Sequence, residues 1–349
     1  MKDKSKKEYN TGREDLDKII ADLAKVSHSG NNAGLIEEML TTVVKLGLEN
    51  EDRGDLKLIN MALKELRYAS KIFTPYRNYR KVVIFGSARS RKDSEEYKMT
   101  VKLSELIVKN GFKIITGGGP GIMEAGNKGA GREDSFSLNI KLPFEQQYNP
   151  YTAGDKKSIS FKYFFNRKLF FLKESDATVV FPGGFGTLDE CFESLTLVQT
   201  GKSKPRPIIL IDPPHSQYWN RLINFVTGEL SERGFISRND LSLLIRANSI
   251  EKVADEILQF YRVYHSIRYV GDKTVLRLNK TLSSEDINKL NNKYRHILRS
   301  GKIETSGSLP AEQKSEEFLD LPRLVMDFDR HNFGEFHEML RFLNTLVPN

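Results

Sequence analysis

Nine residues near the middle of the chain decide its fold: Pro182-Gly183-Gly184-Phe185-Gly186-Thr187-Leu188-Asp189-Glu190. They follow a short apolar run typical of a buried β-strand, residues 177–181, and open a segment that is predicted to be helical over residues 188–200. A strand, a glycine turn and a helix start direct free backbone N–H groups and the positive end of the helix dipole toward an anion. We therefore expect Gly183, Gly184, Gly186 and Thr187 to hold an anionic ligand, with glycine allowing its close approach.

The carboxylate of Glu190 lies beside this predicted anion site. A carboxylate would repel a phosphate, so Glu190 is either a group that caps the helix or a catalytic group. Local spacing alone leaves both alternatives open.

Two other apolar runs also end in turns of small residues. Residues 112–115 run into Thr116-Gly117-Gly118-Gly119-Pro120-Gly121, and residues 81–85 run into Gly86-Ser87-Ala88. In an open parallel sheet such turns gather at the carboxyl edge, where ligands bind at the point at which the strand order reverses. Three turns together predict a site for a small anionic molecule.

Strands and helices alternate from residue 81 onward, which predicts an α/β fold with a doubly wound, Rossmann-like parallel sheet. We expect three parts: an N-terminal helical segment over residues 1–78, the Rossmann-like domain over 79–265, and a small α+β accessory domain over 266–349.

At this point the motifs resemble a known family. Gly117-Gly118-Gly119-Pro120-Gly121-Ile122-Met123-Glu124-Ala125, Asn166-Arg167-Lys168 and the stretch from Pro182 to Glu190 are similar to the Lonely Guy family, whose members are often mislabelled "lysine decarboxylase". The family's pattern Pro-Gly-Gly-x-Gly-Thr-x-x-Glu is complete in this chain. The resemblance covers about residues 80 to 262 and leaves both ends of the chain outside it.

The resemblance implies a phosphoribohydrolase, an enzyme that cleaves a nucleoside 5′-monophosphate, of purine or cytokinin type, into free base and ribose 5-phosphate. It implies catalytic roles for Arg167 and Glu190, and a homodimer or higher homo-oligomer. The residues implied to bind the substrate are Ser87, Gly118, Gly119, Met123, Lys168, Gly183, Gly184, Gly186 and Thr187.

The chemistry of the bond assigns roles to the two catalytic candidates. Breaking an N-glycosidic bond builds positive charge on the ribose, in an oxocarbenium-like transition state. Glu190 could stabilise that charge and take a proton from water, while Arg167 could assist the departing base or hold the sugar phosphate. This mechanism needs no metal and no other cofactor. For Lys168, a binding role and a surface role both remain open.

Two alternatives compete with this function. A nucleotide-binding sensor without turnover explains the glycine turns but gives no reason for both Arg167 and Glu190. Amino-acid decarboxylation requires a lysine that forms an aldimine with pyridoxal phosphate, and no lysine has a recognisable setting for that. Thr200-Gly201-Lys202-Ser203 imitates the end of a Walker A loop, but position 196 is threonine instead of glycine, so we expect a solvated turn.

The composition of the chain indicates which binding partners and which cellular compartment to expect. The net charge of +8 is not concentrated in a tail or stripe, so it favours a basic pocket for small phosphates over a nucleic-acid surface. No apolar run is long enough to span a membrane, and the N-terminus lacks the apolar region of a secretory signal. The single cysteine, Cys191, is expected to be buried and fits a reducing cytoplasm. His331 and His337 lack metal-ligand spacing and are expected at the surface or against a partner.

A phenylalanine-rich segment bears on assembly. Residues 159–174 are predicted to form a helix with five phenylalanines, more than one buried stripe requires. Either this helix is buried all round, or its second face meets another subunit. The resemblance favours the second alternative.

Overall fold

The computed structural model describes residues 9–27, 32–50, 52–142, 149–313 and 317–347. The chain forms two compact units, Met1–Arg67 and Tyr68–Asn349. The division predicted at residues 78 and 265 stays a prediction. No helix in the described ranges is long and apolar enough to cross a membrane.

The first unit is helical. It contains α1 (Glu14–Ser27), α2 (Ala33–Glu49) and most of α3 (Arg53–Phe73). Acidic residues in the first turn of α1 and a lysine in its last turn suit the helix dipole. A short 3₁₀ turn, Thr74–Tyr76, follows α3 and already belongs to the second unit.

The second unit is built on a parallel sheet of seven strands in the order β4-β3-β2-β1-β5-β6-β7. The strands are β1 (Lys81–Phe85), β2 (Lys113–Thr116), β3 (Ser135–Ile140), β4 (Ser158–Phe161), β5 (Ala177–Val180), β6 (Ile208–Ile211) and β7 (Leu244–Ala247). Every residue of β1, β2, β5 and β6 is buried, as expected for strands covered on both faces. The predicted doubly wound α/β fold is confirmed.

Helices connect the strands: α4 (Glu95–Lys109), α5 (Ile122–Ala130), α6 (Phe164–Lys173), α7 (Phe185–Gln199), α8 (Tyr218–Phe225) and α9 (Ile250–Phe260). A π-helical segment, Val226–Ser231, extends α8, and a 3₁₀ helix, Arg238–Leu243, precedes β7. The chain adds β2, β3 and β4 on one side of β1 and then returns to place β5 on its other side. The strand order therefore reverses between β1 and β5, the position at which such sheets bind ligands.

The structure corrects the predicted helix over residues 159–174. Residues 158–161 form β4, paired with β3, and α6 begins only at Phe164. Alternate side chains of β4 are buried, and Phe161 belongs to that strand. The helix therefore carries four of the five phenylalanines.

The C-terminal part is α+β, as predicted. Its antiparallel sheet has the order β10-β11-β9-β8, with β8 (Tyr264–Val270), β9 (Lys273–Leu278), β10 (Leu298–Ser306) and β11 (Arg323–Phe328). Three helices accompany it: α10 (Ser284–Tyr294), the short α11 (Pro310–Gln313) and α12 (Phe333–Leu346). Tyr264 begins β8, four residues after the end of α9 at Phe260.

One apolar core joins this part to the parallel sheet, since Leu276 and Leu340 belong to the same cluster as Ile209 and Phe260. His337 on α12 is buried in it, and its Nε2 lies 3.0 Å from the Arg206 carbonyl oxygen. The expectation that His337 lies at a surface was wrong. His337 stands four residues after Phe333 and three before Leu340 on α12, both buried, so it shares their core-facing side of the helix.

Candidate active site

A cleft of about 730 Å³ opens at the carboxyl ends of β1, β2 and β5. It lies at the reversal of strand order and faces the start of α7. Eight of the eleven predicted site residues line it: Ser87, Met123, Arg167, Gly183, Gly184, Gly186, Thr187 and Glu190.

The turn after β5 is held closely against the turn after β1. The Ser87 N–H donates to the Pro182 carbonyl oxygen at 3.0 Å. A Cβ added to Gly183 would lie 2.2 Å from Thr187 Oγ1 and 2.9 Å from the Ser87 nitrogen, so only glycine fits there. In contrast, a Cβ at Gly184 or Gly186 would meet no atom within 4 Å. These two glycines leave the space that a ligand would occupy.

Helix α7 begins at Phe185, three residues earlier than predicted. Gly186 and Thr187 therefore lie in its first turn. The Thr187 N–H donates to the Gly184 carbonyl oxygen at 3.0 Å, whereas the N–H groups before it lack partners within the helix. The N-terminal cap is Gly184, which makes no side-chain capping bond. The cleft thus contains unpaired N–H donors and the positive end of the dipole of a 15-residue helix.

Glu190 lies in the second turn of α7, and its contacts do not fit a capping role. Its Oε2 is 3.3 Å from Lys168 Nζ and its Oε1 is 3.8 Å from Arg167 Nη2. The side chain is only 6% exposed. Burial raises the pKa of Glu190 to about 7, although the positive charges of Lys168 and Arg167 act in the opposite direction. A carboxyl group with such a pKa can both release and accept a proton near neutral pH.

Arg167 projects from α6 into the same cleft. Its guanidinium carbon lies 5.0 Å from the ring centre of Phe164 and 5.3 Å from that of Phe171, within the range of cation–π contacts. Burial lowers the pKa of Arg167, against the charge of Glu190. Its Nε is buried and has no hydrogen-bond partner among the described residues. An unsatisfied buried donor is costly, which favours a ligand that accepts from it.

Three predicted site residues do not line the cleft: Lys168, Gly118 and Gly119. Lys168 Nζ lies 2.9 Å from carboxylate oxygens of both Asp189 and Glu193, in addition to its contact with Glu190. These contacts keep Lys168 close to the reacting region while its charge is shared among three acids. A binding role for it stays a prediction.

In the second glycine turn, residues 117–121, other protein atoms fill the space beside the glycines. Gly118 has a φ of 73°, and a Cβ there would lie 2.1 Å from Asn139 Oδ1. A Cβ on Gly117 would lie 2.6 Å from the sulfur of Met123. Gly121 has a φ of 66°, and a Cβ there would lie 2.3 Å from the Ser87 carbonyl oxygen. This turn shapes the cleft chiefly by packing.

Sequence reasoning missed several residues at the cleft. Arg89 lines it with an exposed side chain that forms no ion pair with any described residue. A basic residue directly after the small-residue turn at 86–88 was the available signal. The Tyr218 hydroxyl donates to the Gly183 carbonyl oxygen at 2.6 Å and so supports the turn, which no local pattern indicated. Phe185, at the start of α7, is 94% exposed.

The fold and the cleft define a doubly wound α/β protein with a glycine-lined cleft at its strand-order reversal. Residues 121–257 match the family model described as "Possible lysine decarboxylase". Together with the relatives described next, this match confirms the resemblance to the Lonely Guy family over the α/β part of the chain.

Curated relatives carry phosphoribohydrolase names. The chain is 26% identical over 188 residues to "Cytokinin riboside 5'-monophosphate phosphoribohydrolase LOG4" of Arabidopsis thaliana, covering 53% of this chain and 84% of the relative. It is 28% identical over 190 residues to "Probable cytokinin riboside 5'-monophosphate phosphoribohydrolase LOGL3" of Oryza sativa subsp. japonica, covering 53% and 86%. Among solved structures, the molybdenum cofactor binding protein of Rippkaea orientalis is 20% identical, with a TM-score of 0.36 over 51% of this chain and 94% of that protein.

Proposed function

We propose that this protein hydrolyses the N-glycosidic bond of nucleoside 5′-monophosphates, giving free base and ribose 5-phosphate. The observation that carries the proposal is the pairing of Glu190 and Arg167 across a cleft that also contains the glycine-rich start of α7. The names of the relatives support the same class of substrate.

The start of α7 is suited to the 5′-phosphate. Its N–H groups and the Thr187 hydroxyl can donate to phosphate oxygens, and the space at Gly184 and Gly186 admits them. Arg89 adds a positive charge at the same cleft and forms no ion pair with any described residue.

Glu190 is suited to the ribose. As a carboxylate, it can stabilise the positive charge that develops as the bond to the base breaks. It can then accept one proton from the attacking water, whose oxygen forms the new bond to the ribose carbon. Arg167 can donate a hydrogen bond to the departing base, which takes up the bond's electron pair and, to balance the reaction, the proton that Glu190 accepted from the water.

The structure gives no support to the decarboxylase alternative. No lysine lines the described part of the cleft, so an aldimine with pyridoxal phosphate has no lysine there on which to form. The sensor alternative shares the phosphate site, but it does not explain why a carboxylate with a pKa of about 7 faces a buried arginine.

The test is to incubate the purified chain with a panel of nucleoside 5′-monophosphates and to measure free base and ribose 5-phosphate by chromatography. We expect both products in equal amounts. Matching nucleosides should be far poorer substrates, because they lack the group that the start of α7 would bind. Comparable kcat/KM for AMP and adenosine would contradict the phosphate site, and no product from any monophosphate would leave the sensor as the better account.

A further inference from the structure

A second pocket, of about 280 Å³, lies at the amino-terminal edge of the parallel sheet, opposite the cleft. Arg80 directly precedes β1 and Asp176 directly precedes β5, the two strands whose other ends carry the cleft turns. Lys204 precedes β6, and Tyr264 and His265 begin β8 of the antiparallel sheet. These four segments of the chain, together with Phe318 from a fifth, therefore meet around this pocket.

Positive charge is concentrated in this pocket. Lys204 Nζ and Arg80 Nη1 both approach the same atom, Asp176 Oδ1, at 2.8 and 3.5 Å. Asp176 also accepts from the Lys81 N–H at 2.9 Å, so its carboxylate is fully engaged. Arg77 lines the pocket with an exposed side chain that forms no ion pair with any described residue. Three cations thus face one carboxylate.

Arg80 is held in place, as expected for a binding residue. Its guanidinium carbon lies 3.8 Å from the ring centre of Tyr261, and its Nη2 donates to the His265 carbonyl oxygen at 3.1 Å. Burial, and then the charges of Arg80 and Arg277, lower the pKa of His265 to about 4. The imidazole is therefore uncharged at neutral pH. Its lowered pKa reflects, after burial, the positive charges near it.

Aromatic side chains form the remaining wall. Tyr79 is 50% exposed, and Phe318 is also partly exposed, with its ring centre 4.6 Å from that of His265. Flat apolar surface beside a cluster of cations suits an organic anion better than a bare inorganic ion.

We propose that this pocket binds a small phosphorylated metabolite, with the phosphate held by Arg77, Arg80 and Lys204 and the organic group against Tyr79 and Phe318. The site is separate from the cleft, because the two lie at opposite ends of β1 and β5. It does not depend on the proposed nucleotide hydrolysis.

The test uses the full chain with phenyl phosphate and inorganic phosphate as probes. The ring signals of His265, identified with a His265→Gln variant, are followed by nuclear magnetic resonance during each titration. We expect a saturable shift with both probes and tighter binding of phenyl phosphate. The double variant Arg77→Gln/Lys204→Gln should weaken binding about tenfold or more, because it removes two charge-assisted contacts.

Lys202→Gln is the matched control, since it removes an exposed positive charge two residues from Lys204 but outside the pocket. It should leave the affinity unchanged. No saturable shift at millimolar phenyl phosphate, or equal affinities for the double variant and the control, would overturn the proposal. Equal affinity for the two probes would overturn the assignment of the aromatic wall.

Discussion

The two glycine-rich turns of the cleft look alike in sequence but differ in what surrounds their glycines. In the turn at 117–121, the places where side chains would stand are filled by Met123, Asn139 and the backbone of Ser87. In the turn at 182–186, only Gly183 is packed in this way, and Gly184 and Gly186 adjoin open space. One turn needs glycine in order to fold, and the other needs it mainly to leave room for a ligand.

Glu190, which follows the open turn, should show the largest effect on activity. Glu190→Gln keeps the size of the side chain but removes the charge, so turnover of nucleoside monophosphates should fall by about 10²-fold or more. Substrate binding and thermal stability should remain. The neighbouring Asp189→Asn, a change at a largely exposed acid, is the matched control. A Gln variant with near wild-type turnover would show that the open turn is not followed by a catalytic group.

A pair of glycine-to-alanine variants tests the comparison directly. Gly121→Ala should lower the free energy of unfolding by about 3 kcal/mol or more, because its φ is positive and the new methyl group meets backbone atoms. Gly184→Ala should change it by less than about 0.5 kcal/mol, since its φ of −87° suits alanine and its surroundings are empty.

Among properly folded molecules, Gly184→Ala should impair activity more than Gly121→Ala. Gly184→Ala places a methyl group in the cleft, so we expect KM for the monophosphate to rise severalfold. Denaturant unfolding and steady-state kinetics on both variants check this. If Gly184→Ala proved as destabilising as Gly121→Ala, the distinction between the two turns would fail.

The pH dependence sharpens the role of Glu190. Because its pKa is raised to about 7, it is protonated below that pH and a carboxylate above it. A reaction that needs the carboxylate should therefore rise about tenfold per pH unit below 7 and level off above it. Lys168→Met removes a positive charge 3.3 Å from the carboxylate, which should raise the pKa of Glu190 further and move the profile to higher pH. A profile of kcat/KM that is flat from pH 5 to 8 would argue against this role.

The smallest effect on activity is expected from the apolar surface of α6, which concerns the assembly of subunits. On α6, Phe170 and Phe171 are buried, while Phe164, Phe165 and Leu169 are each about half exposed. Together with Phe185, these exposed side chains support the prediction of a homo-oligomer. Phe165→Asp should produce a smaller particle by light scattering at micromolar concentration, with reduced turnover because Arg167 lies on the same helix. A wild-type chain that is monomeric and fully active would refute the prediction.

Much of the fold and of the site was predictable because the responsible signals are local. A strand followed by a glycine turn and a helix start is encoded in about a dozen consecutive residues, and it occurs around Gly118 and around Gly184. The parallel sheet and the gathering of the glycine turns at one edge follow from these segments, and the family resemblance pointed to Arg167 and Glu190 as site residues. β4 was missed because the alternation of Ser158–Phe161 is only four residues long and runs directly into an apolar helical segment, so that pairing with β3 decides it.

The sequence by itself determined the class of fold, the glycine turns and the identity of the two candidate catalytic side chains. Tertiary structure alone decided which glycines adjoin open space and which are packed, since Asn139 and Ser87 reach Gly118 and Gly121 from other segments. It also decided the pKa of Glu190, which burial raises against the opposing positive charges of Arg167 and Lys168 on α6. Both depend on distances between residues far apart along the chain, and no local pattern of residue types fixes such distances.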